Sequence, residues 1–260
     1  MTEFDWFNKP GLEKPGRGPG PGRFFYTTRR YPLFYLQITK CGCTFLRNLL
    51  YYLDHDEIHP DSARIHAHEE DFLKADRIPR RTLRESRYMF AVIRDPVDRF
   101  LSLYFDKLVN LENRHDVGMR TRVAKAAGLR LAPDLDLADH RENCLKTLNW
   151  FEVNLAGDAG KPNPHWQRQS LRLKRISELE PHLLTLSGLS WQLPKILDPL
   201  IPDIAEKMDA VRVRNESRKP LSRAEIMTPE IAAAVLRVYP EDSETYVRVA
   251  ARWGKGPRQD

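Results

Sequence analysis

The sequence has few cysteines, and this scarcity excludes two kinds of protein. Only Cys41, Cys43 and Cys144 occur among its 260 residues. An odd count without a regular cysteine framework is not typical of a small secreted domain held together by disulfides. Cys41 and Cys43 are also without the further nearby ligands that a zinc site requires, so we expect no metal. We therefore expect reduced thiols in a cytosol-like compartment.

Long apolar runs are absent as well. No run approaches the roughly 18–20 residues that a membrane span needs, so we expect no transmembrane segment. The stretch from Met1 to Phe7 carries two acidic residues and no apolar core, which is not the pattern of a signal peptide. These two observations predict a cytoplasmic protein.

The composition is that of a folded protein with a basic surface. Hydrophobic residues make up 41% of the chain and aromatic residues 10%, which predicts a packed core. The formal net charge is +6, which suits an anionic partner such as nucleic acid, a membrane surface or a phosphorylated small molecule. A solvated, highly charged surface explains the same excess equally well.

The first 25 residues differ from the rest in composition. Glycine and proline are frequent between residues 8 and 23, so residues 1–25 are predicted to form a flexible arm. We expect Phe4, Trp6 and Phe7 in this arm to dock on the domain or on a partner subunit in a homodimer. Residues 26–260 are long enough for a single α/β domain.

Two strand–loop–helix units dominate the remaining sequence. Apolar residues 33–38 and 88–93 predict buried strands, and the spacing of apolar residues predicts helices over 45–53 and from Pro96 to about Leu111. This alternation predicts a mostly parallel sheet with helical crossovers. Ligands of such sheets bind at the carboxyl ends of the strands, where both loops lie.

Further elements are predicted in the second half of the chain. Residues 210–214 alternate like a strand, and helices are predicted over 143–154, 228–238 and 241–253. Thr228 and Pro229 suit the cap and the first turn of the helix predicted over 228–238.

The loop after the first strand has the sequence Lys-x-Gly-x-Thr, formed by Lys40, Gly42 and Thr44. A glycine lets backbone N–H groups approach an anion, and the start of the following helix adds unpaired donors. Lys40 contributes a charge and Thr44 a hydroxyl. The pattern predicts a phosphate-binding loop, although an ordinary strand-to-helix turn with one lysine explains it too.

The second loop continues into a longer pattern of polar residues. Arg94, Asp95 and Pro96 follow the second strand, and Arg99, Ser102 and Tyr104 follow on the helix. The planar guanidinium of Arg94 can bind a phosphate with two hydrogen bonds, and Ser102 can point toward the same phosphate. The alternatives are an Asp95 helix cap with an ion pair and a solvated Ser102.

Together, these two segments resemble the sulfotransferases that use 3′-phosphoadenosine-5′-phosphosulfate (PAPS), in particular their carbohydrate branch. The resemblance implies a P-loop-like three-layer α/β fold whose central, mostly parallel sheet is flanked by helices. It implies PAPS as co-substrate and no metal. It also implies that Arg94 and Ser102 bind the 3′-phosphate, and that the 5′-phosphosulfate is bound by Lys40, Cys41, Gly42, Cys43, Thr44 and Phe45.

Weaker matches to the same family imply further site residues. His66-Ala67-His68 resembles a His-x-His segment with a catalytic histidine; we expect His68 to be the base, with His66 and Glu69 as rivals. A surface loop is the alternative for this segment. His165 and Trp166 resemble the start of a His-Trp-x-x-Gln stretch, implying contact with the acceptor, unless they serve packing.

Two late segments complete the resemblance. Asn215-x-Ser217 resembles the family's Asn-x-Ser, after which Arg218 and Lys219 are expected to close over the phosphates of the donor, a solvated basic turn being the alternative. Tyr239-Pro240-Glu241-Asp242 resembles its late Tyr-x-x-Asp.

The resemblance implies an acceptor hydroxyl on a carbohydrate or glycolipid, and no nucleic acid as partner. Two rival functions stay open from the residues. A nucleotide-dependent kinase would need a metal-binding acid and a glycine-rich loop of the usual spacing. A non-catalytic binder of anionic glycan or nucleic acid would show exposed aromatic residues among its basic ones.

Overall fold

The computed structural model describes Trp6, residues 21–211 and residues 220–254. The strands within this part of the chain are β1 (Phe25–Thr27), β2 (Phe34–Leu36), β3 (Leu73–Lys74), β4 (Met89–Ile93) and β5 (His182–Thr185). The α-helices there are α1 (Cys43–His55), α2 (Arg80–Glu85), α3 (Pro96–Leu103), α4 (Val117–Ala127), α5 (Leu137–Ala156), α6 (Gln169–Lys174), α7 (Leu189–Leu197), α8 (Ile204–Ala210), α9 (Arg223–Ile226), α10 (Pro229–Val238) and α11 (Pro240–Trp253). The predicted α/β class is confirmed.

The chain divides into two compact units. The sheet unit comprises residues 1–93, 171–215 and 248–260, and the helical unit comprises residues 94–170 and 216–247. Each has its own hydrophobic core.

The sheet unit contains all five described strands in the order β3-β1-β2-β4-β5. Strands β2, β4 and β5 run parallel, whereas β1 pairs antiparallel with both β2 and β3. Strands β2 and β4 lie inside the two apolar runs that predict them. They are the central parallel pair, and both are buried on both faces, which explains why their sequences show no alternation.

Helix α1 begins directly after the loop that follows β2. Its apolar residues Leu46, Leu49, Leu50 and Leu53 are buried in the core of the sheet unit, as their helical spacing predicts. Trp6 is also buried in this unit, where its indole N–H donates to the carbonyl of Thr28 at 2.8 Å. For Trp6, this contact agrees with the predicted docking of the arm on the domain. Phe4 and Phe7 lie outside the described residues.

The helical unit begins with a capped helix. The Asp95 carboxylate accepts hydrogen bonds from the N–H groups of Val97 and Asp98, and Pro96 occupies the first turn of α3. The α-helical hydrogen bonding ends at Leu103, and a π-helical turn, Tyr104–Leu108, replaces the end of the longer predicted helix. Phe100, Leu101 and the aromatic residues of this turn are buried in the core of the unit.

The strand predicted over residues 210–214 is wrong at its start. Helix α8 extends to Ala210, and Val211, whose side chain is buried, forms a turn after it. Alternation over so few residues is also compatible with the end of a helix. The rest of the predicted strand lies outside the described residues.

Candidate functional site

The loop between β2 and α1 carries Lys40 in a strained backbone conformation. The φ angle of Lys40 is +66°, in the left-handed region that residues with a Cβ atom rarely adopt. Such strain costs roughly 1–2 kcal/mol and is often kept where a side chain must be held for function. The lysine is therefore held in the loop after a central strand at a cost to stability.

Gly42 is the N-cap of α1, and its position cannot accept another residue without strain. Its φ angle is +76°, and a Cβ atom there would lie 2.7 Å from Cδ1 of Leu186. After Gly42, the first N–H groups of α1 have no preceding carbonyl within the helix, and the positive end of the helix dipole lies there. The loop thus leads into a helix N-terminus, which offers the backbone donors that an anionic group requires.

His66 is the predicted base that the structure places on this loop. Its Nε2 atom lies 3.1 Å from Oγ1 of Thr44, and its imidazole is exposed. His68, by contrast, has its Nε2 atom 3.0 Å from Oδ2 of Asp61. This carboxylate fixes the ring of His68, whereas His66 is the histidine that contacts the loop. The geometry therefore favours His66 over His68, reversing the order expected from the sequence.

Glu69, the third candidate base, is held by three donors. Its carboxylate accepts from the hydroxyl of Tyr26 at 2.8 Å and from Arg47 at 2.6 Å, and lies 2.9 Å from the Lys74 ammonium. Burial alone would raise the pKa of Glu69, but these hydrogen bonds lower it from 4.5 to about 2. A carboxylate this acidic is a poor proton acceptor.

Arg47, on the helix that follows the loop, binds both Glu69 and Tyr26. It lies on α1, three residues after Thr44, and its side chain is only 4% exposed. Besides Glu69, it donates to the amide oxygen of Gln37 at 2.8 Å and to the hydroxyl of Tyr26. Arg47 is not among the predicted site residues; its position on the same helix face as Thr44 was the available signal.

One group of side chains in the described part of the chain could hold a cation: His59, His68 and Asp71. However, the N–H of Asp61 donates to Nδ1 of His59 at 3.0 Å, so that nitrogen carries no proton. Neutral His59 then has its proton on Nε2, which lies 3.0 Å from Oδ2 of Asp71. A histidine that binds a metal through one ring nitrogen normally donates a hydrogen bond from the other. In His59 the other nitrogen, Nδ1, accepts a hydrogen bond instead. His59 and Asp71 therefore fit a hydrogen-bonded pair better than a metal site.

An open groove of about 460 Å³ lies beside the loop in the sheet unit. Phe45, the residue after Thr44, lines it together with Leu186, Leu189 and Met208. Two polar residues, Ser190 and Asp209, also contribute to its wall. Phe45 is thus partly exposed to a space that a flat apolar group can enter.

In the helical unit, Gln169 fixes the backbone of Arg94. The N–H of Arg94 donates to Oε1 of Gln169, and Nε2 of Gln169 donates to the carbonyl of Arg94, both at 2.9 Å. Asp95, next in the chain, caps α3 and forms an ion pair with Arg223 at 3.4 Å. The backbone around Arg94 is therefore fixed on both sides of the residue.

The late Tyr-x-x-Asp segment holds the segment that contains Gln169. The carboxylate of Asp242, 2% exposed, accepts from the N–H groups of Gln169 and Ser170, both at 2.8 Å. The hydroxyl of Tyr239 donates to the carbonyl of Trp166 at 3.1 Å. No individual role was predicted for Gln169 and Asp242, although both lie in segments that resemble the family.

Trp166 does not offer a surface to an acceptor. It is 1% exposed, stacks on Phe151 with ring centroids 5.0 Å apart, and donates to the amide oxygen of Asn154 at 2.7 Å. This is the packing role that the sequence left as its alternative, and it replaces the predicted substrate contact. His165 is half-buried and lies 2.7 Å from the side-chain oxygen of Asn163.

Ser102 is 4% exposed, so it is not the solvated helix residue of the alternative interpretation. Arg99, on the same helix, is also buried and donates to the carbonyl of His165 at 3.3 Å. The predicted Asn215-x-Ser217 segment and the predicted phosphate ligands Arg218 and Lys219 lie outside the described residues.

Comparison with known proteins gives one match. The model of the sulfotransferase family matches residues 23–185, more than half of the chain, including both predicted phosphate-binding segments. No curated protein and no solved structure matches the chain. Across the described ranges, none of the helices combines the length and the apolar character needed to cross a membrane. The family match and the two segments lead to one conclusion: the chain belongs to the sulfotransferase family and is a transferase of sulfuryl groups.

Proposed function

We propose that this protein transfers a sulfuryl group from PAPS to a hydroxyl of a carbohydrate or glycolipid by in-line displacement. The observation that carries the proposal is the loop from Lys40 to Thr44 with His66 bound to the Thr44 hydroxyl. The loop supplies a cation and a helix N-terminus, and His66 adds a potential base beside it. A chain of the sulfotransferase family needs these three groups for sulfuryl transfer.

The loop suits the 5′-phosphosulfate end of PAPS. Glycine at position 42 gives the backbone the positive φ angle with which the loop enters α1, and this supports a loop whose backbone N–H groups bind an anion. Cys41, Cys43, Thr44 and Phe45 would contribute backbone and side-chain contacts to it. Burial raises the pKa of the Cys43 thiol, so this side chain stays neutral next to the phosphate.

Lys40 would neutralise the negative charge that grows on the departing phosphate. A positioned donor of this kind contributes roughly 3–4 kcal/mol to the stability of the transition state. Arg94 and Ser102 would bind the 3′-phosphate, and Arg94 is suited to this because its backbone is fixed by Gln169. The donor's charges are then balanced by protein groups, and no metal is needed.

His66 would act as the base. The acceptor oxygen forms a bond to sulfur while the bond from sulfur to the phosphate oxygen breaks, and the hydroxyl proton passes to the neutral imidazole. His66 is exposed and contacts the loop, whereas His68 is oriented by Asp61. His165 stays a candidate for contact with the acceptor. A cytoplasmic location and a homodimer likewise stay predictions.

A binding experiment followed by a transfer assay tests the proposal. Thermal unfolding is measured with 3′-phosphoadenosine-5′-phosphate, ADP and ATP, and we expect only the 3′-phosphorylated nucleotide to stabilise the protein strongly. Transfer is then measured from radiolabelled PAPS to a panel of glycans and glycolipids. Stabilisation by ATP but not by the 3′-phosphorylated nucleotide would instead support a kinase. Binding of glycans without transfer would support a non-catalytic binder.

A further inference from the structure

The segment that carries the proposed base, residues 62–69, is attached to helix α1 at both of its ends. At its start, the carbonyl of Ser62 accepts a hydrogen bond from Nδ2 of Asn48 at 3.0 Å. At its end, the carboxylate of Glu69 accepts from Arg47 at 2.6 Å. Asn48 and Arg47 are consecutive residues of α1, and both are buried. The helix that follows the loop therefore also holds the base segment.

Asn48 differs from Arg47 because it also bonds to Thr44. Its Nδ2 atom lies 2.9 Å from the carbonyl oxygen of Thr44, about one helical turn earlier. The hydroxyl of the same threonine lies 3.1 Å from Nε2 of His66. Asn48, Thr44, His66 and the chain back to Ser62 thus form a closed ring of contacts. One amide group links the backbone of the threonine to the segment whose histidine contacts the threonine hydroxyl.

The amide of Asn48 is specified by its two acceptors. The NH₂ group of asparagine has two protons, one for each carbonyl oxygen. The reversed amide would direct Oδ1 at both carbonyls, so these partners fix its orientation. In this orientation Oδ1 is buried and has no hydrogen-bond partner among the residues that the structure describes. A buried acceptor without a partner costs free energy, which points to a role for Asn48 beyond stability.

Packing orients the base segment between its two attachments. Ile65 is fully buried in the core of the sheet unit, whereas the next side chain, that of His66, is exposed. The buried isoleucine sets which way the turn faces, and the bond from Asn48 sets its position on α1. A fixed backbone is needed here, because an exposed imidazole has few contacts of its own to hold it in place.

We infer that Asn48 is a positioning residue for sulfuryl transfer, which holds His66 beside the hydroxyl of Thr44. Asn48 does not act on the substrate itself, since the two backbone carbonyls take both of its N–H groups. This role rests on the proposed function, because it presupposes that His66 is the base. A displacement of a reacting group by about 1 Å can cost about 10²-fold in rate, so the placement of His66 matters for kcat.

Asn48→Ser tests this role selectively. A serine hydroxyl can still donate to the carbonyl four positions earlier in the helix, but it is too short to reach Ser62 as well. We expect kcat at saturating PAPS to fall about 10–100-fold, and the affinity for 3′-phosphoadenosine-5′-phosphate to change less than about threefold. Asn48→Ala loses both bonds and should lower kcat at least as much. Near-normal kcat in both variants would overturn the role.

Asn154→Ser is the matched control. Asn154 is a buried asparagine on α5 whose Nδ2 atom donates to the carbonyls of Ala159 and Gly160, at 2.7 and 3.0 Å, in the helical unit. Its substitution should lower the unfolding temperature at least as much, because the bond from Trp166 is lost too. Its kcat should change less than about threefold while the protein is folded. An equal loss of kcat in Asn154→Ser would reduce Asn48 to a stabilising residue.

A combined variant shows whether Asn48 acts through His66. In the His66→Gln background, Asn48→Ser should lower kcat by less than about twofold, because the base that Asn48 positions is gone. A loss of about tenfold or more in both backgrounds would show that Asn48 acts independently of His66, and would contradict the role.

The NMR signals of the His66 ring distinguish this role from the proposed function. They are identified by their absence in His66→Gln. In Asn48→Ser they should move toward the positions of an unconstrained, exposed histidine, and in Asn154→Ser they should stay unchanged. Signals that do not move in Asn48→Ser would show that Asn48 does not place His66. Absence of nucleotide binding or of sulfuryl transfer in the wild type would instead contradict the proposed function, and the signals would still decide whether Asn48 places the ring.

Discussion

The side-chain amide of Gln169 forms two hydrogen bonds of 2.9 Å with the backbone of Arg94, one as acceptor and one as donor. Gln169 is itself fixed, because its N–H donates to the buried carboxylate of Asp242. The residue predicted to bind the donor's 3′-phosphate thus has a rigid backbone that is set by residues more than seventy positions away in the chain. This arrangement leads to the first prediction.

Gln169→Glu should weaken binding of 3′-phosphoadenosine-5′-phosphate and lower the free energy of unfolding by about 1–3 kcal/mol. A carboxylate still accepts from the N–H of Arg94, but it cannot donate to the carbonyl and repels it. Nucleotide titration and urea unfolding measure the two effects. Gln167→Glu is a matched control: its amide donates to the carbonyl of Pro162 instead, so only stability should change. Unchanged nucleotide affinity in Gln169→Glu would show that the clamp on Arg94 is irrelevant to binding.

Lys40→Gly should separate stability from activity. Glycine adopts a positive φ angle without strain, so the substitution removes the strain present at Lys40. Glycine also makes the unfolded chain more flexible, which offsets part of this gain, so the free energy of unfolding should rise by up to about 1 kcal/mol. Sulfuryl transfer should nevertheless fall by about 10²–10³ because the charge near the departing phosphate is lost. Lys40→Ala keeps the strain and should lose transfer equally. Near-normal turnover in either variant would remove Lys40 from the mechanism.

His66→Gln should lower kcat by about 10²–10⁴ and remove the acid limb of its pH dependence, since an imidazole base works only when neutral. His68→Gln should reduce kcat less than about tenfold and keep that limb, because His68 is paired with Asp61. Rate–pH profiles with saturating PAPS measure both variants. Nucleotide affinity is the control and should be the same in each. A larger loss in His68→Gln would restore His68 as the base.

Glu69→Gln should lower the free energy of unfolding by about 1–2 kcal/mol at neutral pH. This value allows for solvent screening, because the side chain of Glu69 is 53% exposed. The pKa of Glu69 is about 2 in the folded protein, below its ordinary 4.5. The charged carboxylate therefore stabilises the fold fully above about pH 4.5, and this contribution is lost as the pH falls toward 2.

Urea unfolding of the wild type and of Glu69→Gln at several pH values measures this difference. The gap between the two proteins should be constant above about pH 5 and should narrow below about pH 4. Glu70→Gln is the control, because Glu70 is exposed and lies 3.8 Å from His68 rather than next to Arg47. A gap that does not depend on pH would show that hydrogen bonding, rather than charge, accounts for the role of Glu69.

The central strands, the main helices and the two loops that follow the strands can be predicted from the amino-acid sequence alone. Buried parallel strands read as continuous apolar runs, and capped helices carry local signals such as Asp95-Pro96 and Thr228-Pro229. These features depend on neighbours in the chain, which a sequence displays directly. The family could be inferred at the same level, because its segments are continuous.

Tertiary structure alone decided which histidine contacts the loop and what the late motifs do. His66 and His68 are equivalent in the sequence, and only the folded positions of Thr44 and Asp61 distinguish them. Trp166 suited an acceptor site by its type, but Phe151 and Asn154 bury it. Side-chain partners distant in the chain depend on packing, and short-range patterns cannot encode that packing.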